Sequence, residues 1–188
     1  LSEELRDGFR PTLPNTVKIA RQIAEALGAA HKAGLVHRDI KPANLIVDAH
    51  GDVKVLDFGL ARPTKSTGYT QDGTYLGTPE YSSPEQCQSN DVDGRSDLYS
   101  LGVVLYEMLG GKIPHVAETP LALFNKIVSE EPIPVRELNP DVPPALAAVV
   151  AKLLAKNRDA RYPDAEALIG DLEKIALRDL PSSTRETR

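Results

Sequence analysis

Asp39, Lys41 and Asn44 fall in one short stretch, His37-Arg38-Asp39-Ile40-Lys41-Pro42-Ala43-Asn44. Lys41 lies two positions beyond Asp39, and Asn44 lies five beyond. In an extended loop these side chains can face one small volume. A carboxylate there can accept a hydrogen bond from a substrate hydroxyl and orient it for attack. A lysine ammonium can neutralise a phosphoryl oxygen, and an amide oxygen can ligate Mg²⁺, a hard cation that prefers oxygen donors. Asp57, in Asp57-Phe58-Gly59, offers a second oxygen ligand, and Gly59 permits a sharp turn closed to other residues. A lone Asp-Phe-Gly is mostly a turn, and a lone His-Arg-Asp can be a helix exit with a surface salt bridge. The weight rests on the joint pattern.

Secondary-structure elements must hold these residues. Ala20, Ile23, Ala24, Leu27 and Ala30 recur at helical spacing and predict a long helix from about Pro14 to Lys32, stopped by Gly34 in the left-handed conformation. Leu45–Val47 and Val53–Leu56 read as short strands joined through His50-Gly51-Asp52, a hairpin that returns the chain to Asp57. Two strands cannot stand alone in water and need a helical base. Residues 57–90 carry many Gly, Ser, Thr and Pro and no apolar period, so they read as one long functional loop. Leu98, Leu101, Leu105, Met108 and Leu109 then mark a central core helix over Ser96–Leu109. Further helices are expected over Pro120–Val128, Ala145–Ala155 and Asp164–Leu177, and a short one over Ser2–Arg6. The polar residues 181–188 read as a mobile tail.

The 188 residues suit one domain, with 41% apolar content and only 5% aromatic residues, so the core rests on aliphatic side chains. A formal charge of -5 argues against a nucleic-acid partner and offers no membrane-binding patch. Cys87 is the only cysteine, which excludes an internal disulfide and points to a reducing cytoplasm. No apolar run reaches membrane-spanning length.

Taken together, the motifs resemble those of the eukaryotic-like serine/threonine protein kinases, the bacterial members most of all, and the match covers nearly the whole chain. His37–Asn44 looks like the catalytic loop and Asp57-Phe58-Gly59 like the magnesium-binding motif. Thr78-Pro79-Glu80 looks like the Ala-Pro-Glu end of the activation segment, with Thr for Ala. Ser96–Gly102 looks like the start of the central helix of the large lobe, and Arg161 resembles the arginine that pairs with the Glu80 position.

The resemblance implies an α+β, protein-kinase-like fold in which residues 1–180 form the mainly helical large lobe with a small β-hairpin. It implies transfer of the γ-phosphate of ATP to Ser or Thr hydroxyls of protein substrates, with Mg²⁺, or Mn²⁺ in its place. Asp39 would orient the substrate hydroxyl, Lys41 would steady the phosphoryl group, and Asn44 and Asp57 would hold the metal. Thr78 would bridge Asp39 and Lys41. Asp97 would accept backbone donors from the catalytic loop, although it also reads as an ordinary helix-capping carboxylate beside Ser96. His37 and Phe58 resemble two members of a stacked apolar column, a reading that coincides with plain core packing. Arg38 beside Asp39 suggests control by a phosphate on the loop, with Thr70 and Thr74 the favoured acceptors over Ser66 and Thr67.

A kinase also needs a small β lobe with a glycine-rich loop, a phosphate-contacting lysine and a glutamate paired with it. No such run precedes His37, and Lys18 and Lys32 lie on the predicted helix. This small lobe is therefore expected as a partner for a full ATP site, and the chain alone is expected to be inactive or very weak. The surface near Phe58 and the hairpin is expected to be exposed and to favour self-association. The alternative is a non-catalytic, pseudokinase-like scaffold or protein-binding module.

Overall fold

The computed structural model describes residues 1–6, 8, 10–48, 50–58, 79–88 and 90–178, excepting the side chains of Glu4, Arg6 and residues 176–178. Gly59, Ser66, Thr67, Thr70, Thr74 and Thr78 lie outside the described residues, as does the tail.

Helix α1 (Ser2–Arg6) precedes the long α2 (Leu13–Lys32). Thr12 caps α2, accepting from the Asn15 N–H, and Pro14 occupies the first turn where its missing donor is not needed. Gly34 ends the helix at φ 76°, while the Gly34 and Leu35 amides return to the His31 and Ala30 carbonyls. The buried face of α2 is Val17, Ala20, Ile23, Ala24 and Leu27.

A 3₁₀ turn (Pro42–Asn44) leads into β1 (Leu45–Val47), which pairs antiparallel with β2 (Val53–Val55). The register sets Leu45 opposite Val55 and Val47 opposite Val53. This hairpin does not stand alone. Gln22 of α2 accepts from the Val53 N–H at 2.6 Å and donates to Asp52, and Lys18 donates to the His50 carbonyl.

After the undescribed stretch come a 3₁₀ turn (Pro79–Tyr81) and α3 (Pro84–Cys87). The reading of residues 57–90 as one loop is thus corrected at its end. These elements are three and four residues long, too short to show a period. The central α4 (Gly94–Gly110) is capped by Asp93 and stopped by Gly111 at φ 78°. It is buried nearly all round, as its run of Leu, Val, Tyr and Met requires. α5 (Pro120–Ser129), α6 (Val135–Leu138), α7 (Pro144–Leu153), a 3₁₀ turn (Arg158–Ala160) and α8 (Ala165–Arg178) complete the fold.

α2 packs between α8 and α4, and α7 closes against α4 and α8. The result is a mainly helical body carrying one small antiparallel hairpin, and no further sheet occurs among the described residues. Among the described residues no helix is long and apolar enough to cross a membrane. The Leu168, Leu172 and Ile175 stripe of α8 completes the core.

Two glycines make a matched test of this packing. A Cβ on Gly102 of α4 would sit 2.7 Å from the Leu153 Cβ, whereas one on Gly170 of α8 meets nothing within 4 Å. Gly102→Ala is therefore expected to destabilise the chain. Overpacking of about 1–3 kcal/mol outweighs the helix-propensity gain of about 1 kcal/mol. Gly170→Ala is expected to stabilise it by up to about 1 kcal/mol. Urea unfolding of both variants reads the difference.

Candidate active site

The loop between α2 and β1 carries the candidate residues, and one buried carboxylate organises it. Asp97, in the first turn of α4, accepts the His37 N–H at 2.8 Å on Oδ2 and the Arg38 N–H at 2.7 Å on Oδ1. His31, from the end of α2, reaches the same Oδ2 through Nε2 at 2.8 Å. Asp97 is only 1% exposed, so these donors are what make its burial tolerable. The capping role at α4 belongs to Asp93, which accepts from the Arg95 N–H.

Arg38 sits at φ 68°, in the left-handed region that a bulky residue enters only under constraint. The constraint is visible on both sides. Its N–H is held by Asp97, and its carbonyl accepts Gln86 Nε2 at 2.9 Å. This strained residue turns the chain so that Asp39 follows it half-exposed, with 43% of its side chain open.

Asp39, Lys41 and Asn44 meet there. Lys41 Nζ lies 2.9 Å from Asp39 Oδ2. Asn44 Nδ2 donates to the Asp39 carbonyl at 2.8 Å and to its Oδ2 at 3.0 Å. Both of these bonds use the amide nitrogen, which leaves Asn44 Oδ1 as the donor atom for a cation. The hairpin brings Asp57 alongside. The Leu56 N–H donates to the Asn44 carbonyl at 2.9 Å, extending the ladder by one position. His37 Nε2 donates to the Leu56 carbonyl at 2.7 Å, and its Nδ1 accepts the Asp39 N–H at 3.2 Å. Asp57 then adopts φ 58°, a second left-handed non-glycine residue beside the first. His37 and Phe58 stack edge-on, with ring centroids 4.9 Å apart. Phe58 remains 38% exposed, and Ile46 of β1 47% exposed.

The donor chemistry fits Mg²⁺. An amide oxygen and a carboxylate, both hard, sit at the ends of one short backbone bridge beside a lysine. Mg²⁺ commonly takes one or two protein oxygens and fills its shell with water and phosphate.

The expected pairing of Arg161 with Glu80 is corrected. Arg161 makes a two-pronged ion pair with Glu85: Nη1 to Oε1 at 2.8 Å and Nη2 to Oε2 at 2.9 Å. Ser96 Oγ donates to the same carboxylate, and Arg161 also holds the Ala155, Lys156 and Arg95 carbonyls. Glu80 has a shielded Oε2 without a hydrogen-bond partner among the described residues. The acidic partner of Arg161 therefore lies in Ser83-Pro84-Glu85, whose Pro84 opens α3. Ser83 and Gln86 form a reciprocal capping box there. That Ser-x-x-Gln pattern was the available signal for a helix start at Ser83. His31 is the other residue that the sequence reading passed over; a lone histidine at a helix end carries no signal.

Burial alone would raise the Glu85 carboxyl, but hydrogen bonds from Arg161 and Ser96 more than offset it and hold it below its ordinary value. A depressed native value contributes stability that is fully present above the unfolded carboxyl's value near 4.5 and is lost as pH falls through the native one. The stability gap between the wild type and Glu85→Gln is thus expected to be full at neutral pH and to narrow below about pH 4.5. Urea unfolding across that range measures it.

The protein kinase domain family matches residues 3–170. The chain belongs to the protein kinase domain family. It is 44% identical over 161 residues to the serine/threonine-protein kinase PknB of Mycolicibacterium smegmatis, covering 85% of this chain and 26% of that protein. It is 41% identical over 159 residues to a probable serine/threonine-protein kinase of Clostridium perfringens, covering 85% of this chain and 23% of that one. A probable serine/threonine-protein kinase of Streptomyces coelicolor is 42% identical over 175 residues, 92% of this chain and 26% of its own length. The chain thus spans about a quarter of the length of these curated relatives. Its likeness is to the bacterial serine/threonine kinases, and its helical body with one hairpin has the architecture of a kinase large lobe. Use of ATP and Mg²⁺ is a general property of this family.

Proposed function

We propose that this chain supplies the catalytic lobe of a serine/threonine protein kinase. The observation that carries the reading is the convergence of Lys41 and Asn44 on one carboxylate oxygen of Asp39, with Asp57 following the Leu56 amide that donates to the Asn44 carbonyl. Mg-ATP supplies the transferable phosphoryl group when bound. The half-open Asp39 carboxylate accepts the hydroxyl proton of a Ser or Thr side chain and aims the oxygen. Lys41 stands within ion-pair distance of the same carboxylate and faces the incoming negative charge. Asn44 Oδ1 and Asp57 would hold Mg²⁺. In phosphoryl transfer little else is asked of the protein than positioning and charge stabilisation.

Arg38 supports regulation of the site. Its Nε is shielded and has no hydrogen-bond partner among the described residues, an arrangement that a protein rarely leaves standing. A phosphate on the segment carrying Thr70 and Thr74 would offer a strong acceptor to Arg38. The apolar side chains left open at Ile46, Leu56 and Phe58 provide the face against which a small β lobe would close over the nucleotide.

The test is phosphate transfer from Mg-ATP to a generic basic protein, run on this chain alone and on the full gene product. Transfer by the full product, with little or none by the chain alone, is the expected result. No transfer by a well-folded full product would favour a scaffold role instead.

A further inference from the structure

We propose that Gln86 is a positioning residue for phosphate transfer: the helix cap it closes at α3 aims its side-chain N–H at the Arg38 carbonyl and so sets the peptide that carries Asp39. The catalytic consequence rests on the phosphotransfer reading above; the structural consequence does not.

The Gln86 side-chain amide is held at both ends by partners of opposite kind. Its Oε1 accepts the Ser83 N–H at 2.9 Å, and its Nε2 donates to the Arg38 carbonyl at 2.9 Å. A backbone N–H can only donate and a carbonyl can only accept, so one orientation of the amide satisfies both. The Gln86 backbone N–H donates back to Ser83 Oγ, which closes the cap. α3 is a fixed platform for this bond, because the neighbouring Glu85 carries the ion pair with the fully buried Arg161 side chain.

The Arg38 carbonyl and the Asp39 N–H belong to one planar peptide unit, which also contains the Asp39 Cα. Gln86 holds the carbonyl edge of that plane, and His37 Nδ1 accepts from the N–H edge at 3.2 Å. Of these two bonds, the one from Gln86 reaches outside the loop. Asp97 grips the preceding peptide instead, through the Arg38 N–H. The plane needs holding, because Arg38 at φ 68° lies where a bulky residue is strained. Loss of the Gln86 donor frees the plane to rotate and takes the Asp39 carboxylate with it. A misplacement of about 1 Å can cost about 10²-fold in rate.

A helix cap alone does not call for this glutamine, since glutamate serves at the same position of a capping box. What glutamate lacks is the N–H for Arg38. Gln86→Glu therefore separates the two roles. It keeps an oxygen for the Ser83 N–H and sets a second oxygen against the Arg38 carbonyl. Gln86→Met keeps the side-chain length and removes both bonds without adding charge.

Amide hydrogen exchange is followed by NMR in the chain itself, with the α8 amides of Leu168 and Leu172 as reference. Both variants are expected to speed exchange at Asp39 about tenfold or more relative to α8. Ser83 should stay protected in Gln86→Glu and lose protection in Gln86→Met. In the full gene product both variants are expected to lower kcat about tenfold or more, with the KM for ATP within about twofold. Unchanged exchange at Asp39 in either variant would overturn the proposal. So would equal acceleration at all amides, or full kcat in Gln86→Glu, which is what a plain helix cap predicts. A loss of kcat in Gln86→Glu but not in Gln86→Met would assign the effect to the added charge and overturn it as well. A wild type that transfers no phosphate, with the exchange pattern intact, would sink the phosphotransfer reading and leave the positioning role standing.

Discussion

Asp39→Asn in the full gene product is expected to lower phosphate transfer by about 10²–10⁴-fold, the range a positioned proton acceptor contributes. The fold should not change. Asparagine has the same shape, the Asn44 bond to the residue-39 carbonyl survives, and an amide oxygen remains for the second Asn44 bond. What is lost is the negative charge that pairs with Lys41 at 2.9 Å and that can take a proton. The loss should therefore fall on kcat, with the KM for ATP nearly unchanged, because Asp39 is not among the residues assigned to the nucleotide. Asp141→Asn, at an exposed position between α6 and α7, is the control and should retain full transfer. Steady-state kinetics with thermal unfolding of each variant checks both halves. A large loss of kcat with an unchanged melting temperature supports the assignment. Full activity in Asp39→Asn would remove the central group from the mechanism.

Glu85→Ala is expected to cost about 3–5 kcal/mol of stability, the range for stripping one partner from a buried ion pair. Arg161 has a fully buried side chain, and Glu85 is its sole carboxylate among the described residues. Removing it leaves a guanidinium in the interior with backbone carbonyls from three residues and no counter-charge, and it also orphans Ser96 Oγ. Substituting both partners, Glu85→Leu with Arg161→Met, should recover much of the loss, since a buried pair is often replaceable by apolar groups of similar volume. Glu80→Ala should cost far less, because its shielded Oε2 has no partner among the described residues to lose. Urea unfolding of these three variants beside the wild type discriminates sharply between the two glutamates. A cost for Glu80→Ala equal to that of Glu85→Ala would contradict the assignment of Glu85 as the anchor.

The two glutamates also show where the sequence was hard to read. Thr78-Pro79-Glu80 and Ser83-Pro84-Glu85 each set a hydroxyl residue before Pro-Glu, and spacing from the motifs on either side does not choose between them. The choice lies in three dimensions, where the ladder of bonds around Arg161 reaches one and not the other. The capping box at Ser83 and Gln86 was a local signal that a helix begins there, and it favoured the second. Long elements were plain by contrast. The α2 stripe, the apolar run of α4 and the hairpin turn each carry several residues of consistent period. The 3₁₀ turns and α3 were not, because three or four residues cannot display one. Asp97 was visible as a charge on an otherwise apolar helix. Its third donor, His31, was not, since only the fold brings the end of α2 to the start of α4.

The most direct test of the central claim is the identity of the phosphorylated residue. The full gene product is incubated with Mg²⁺ and γ-labelled ATP, alone and with a basic protein, and the labelled product is hydrolysed and separated into its phosphoamino acids. Label in phosphoserine or phosphothreonine, present in the wild type and lost in Asp39→Asn, is the result this account predicts. No label in a folded wild type, label confined to phosphotyrosine, or equal label in both proteins would contradict it.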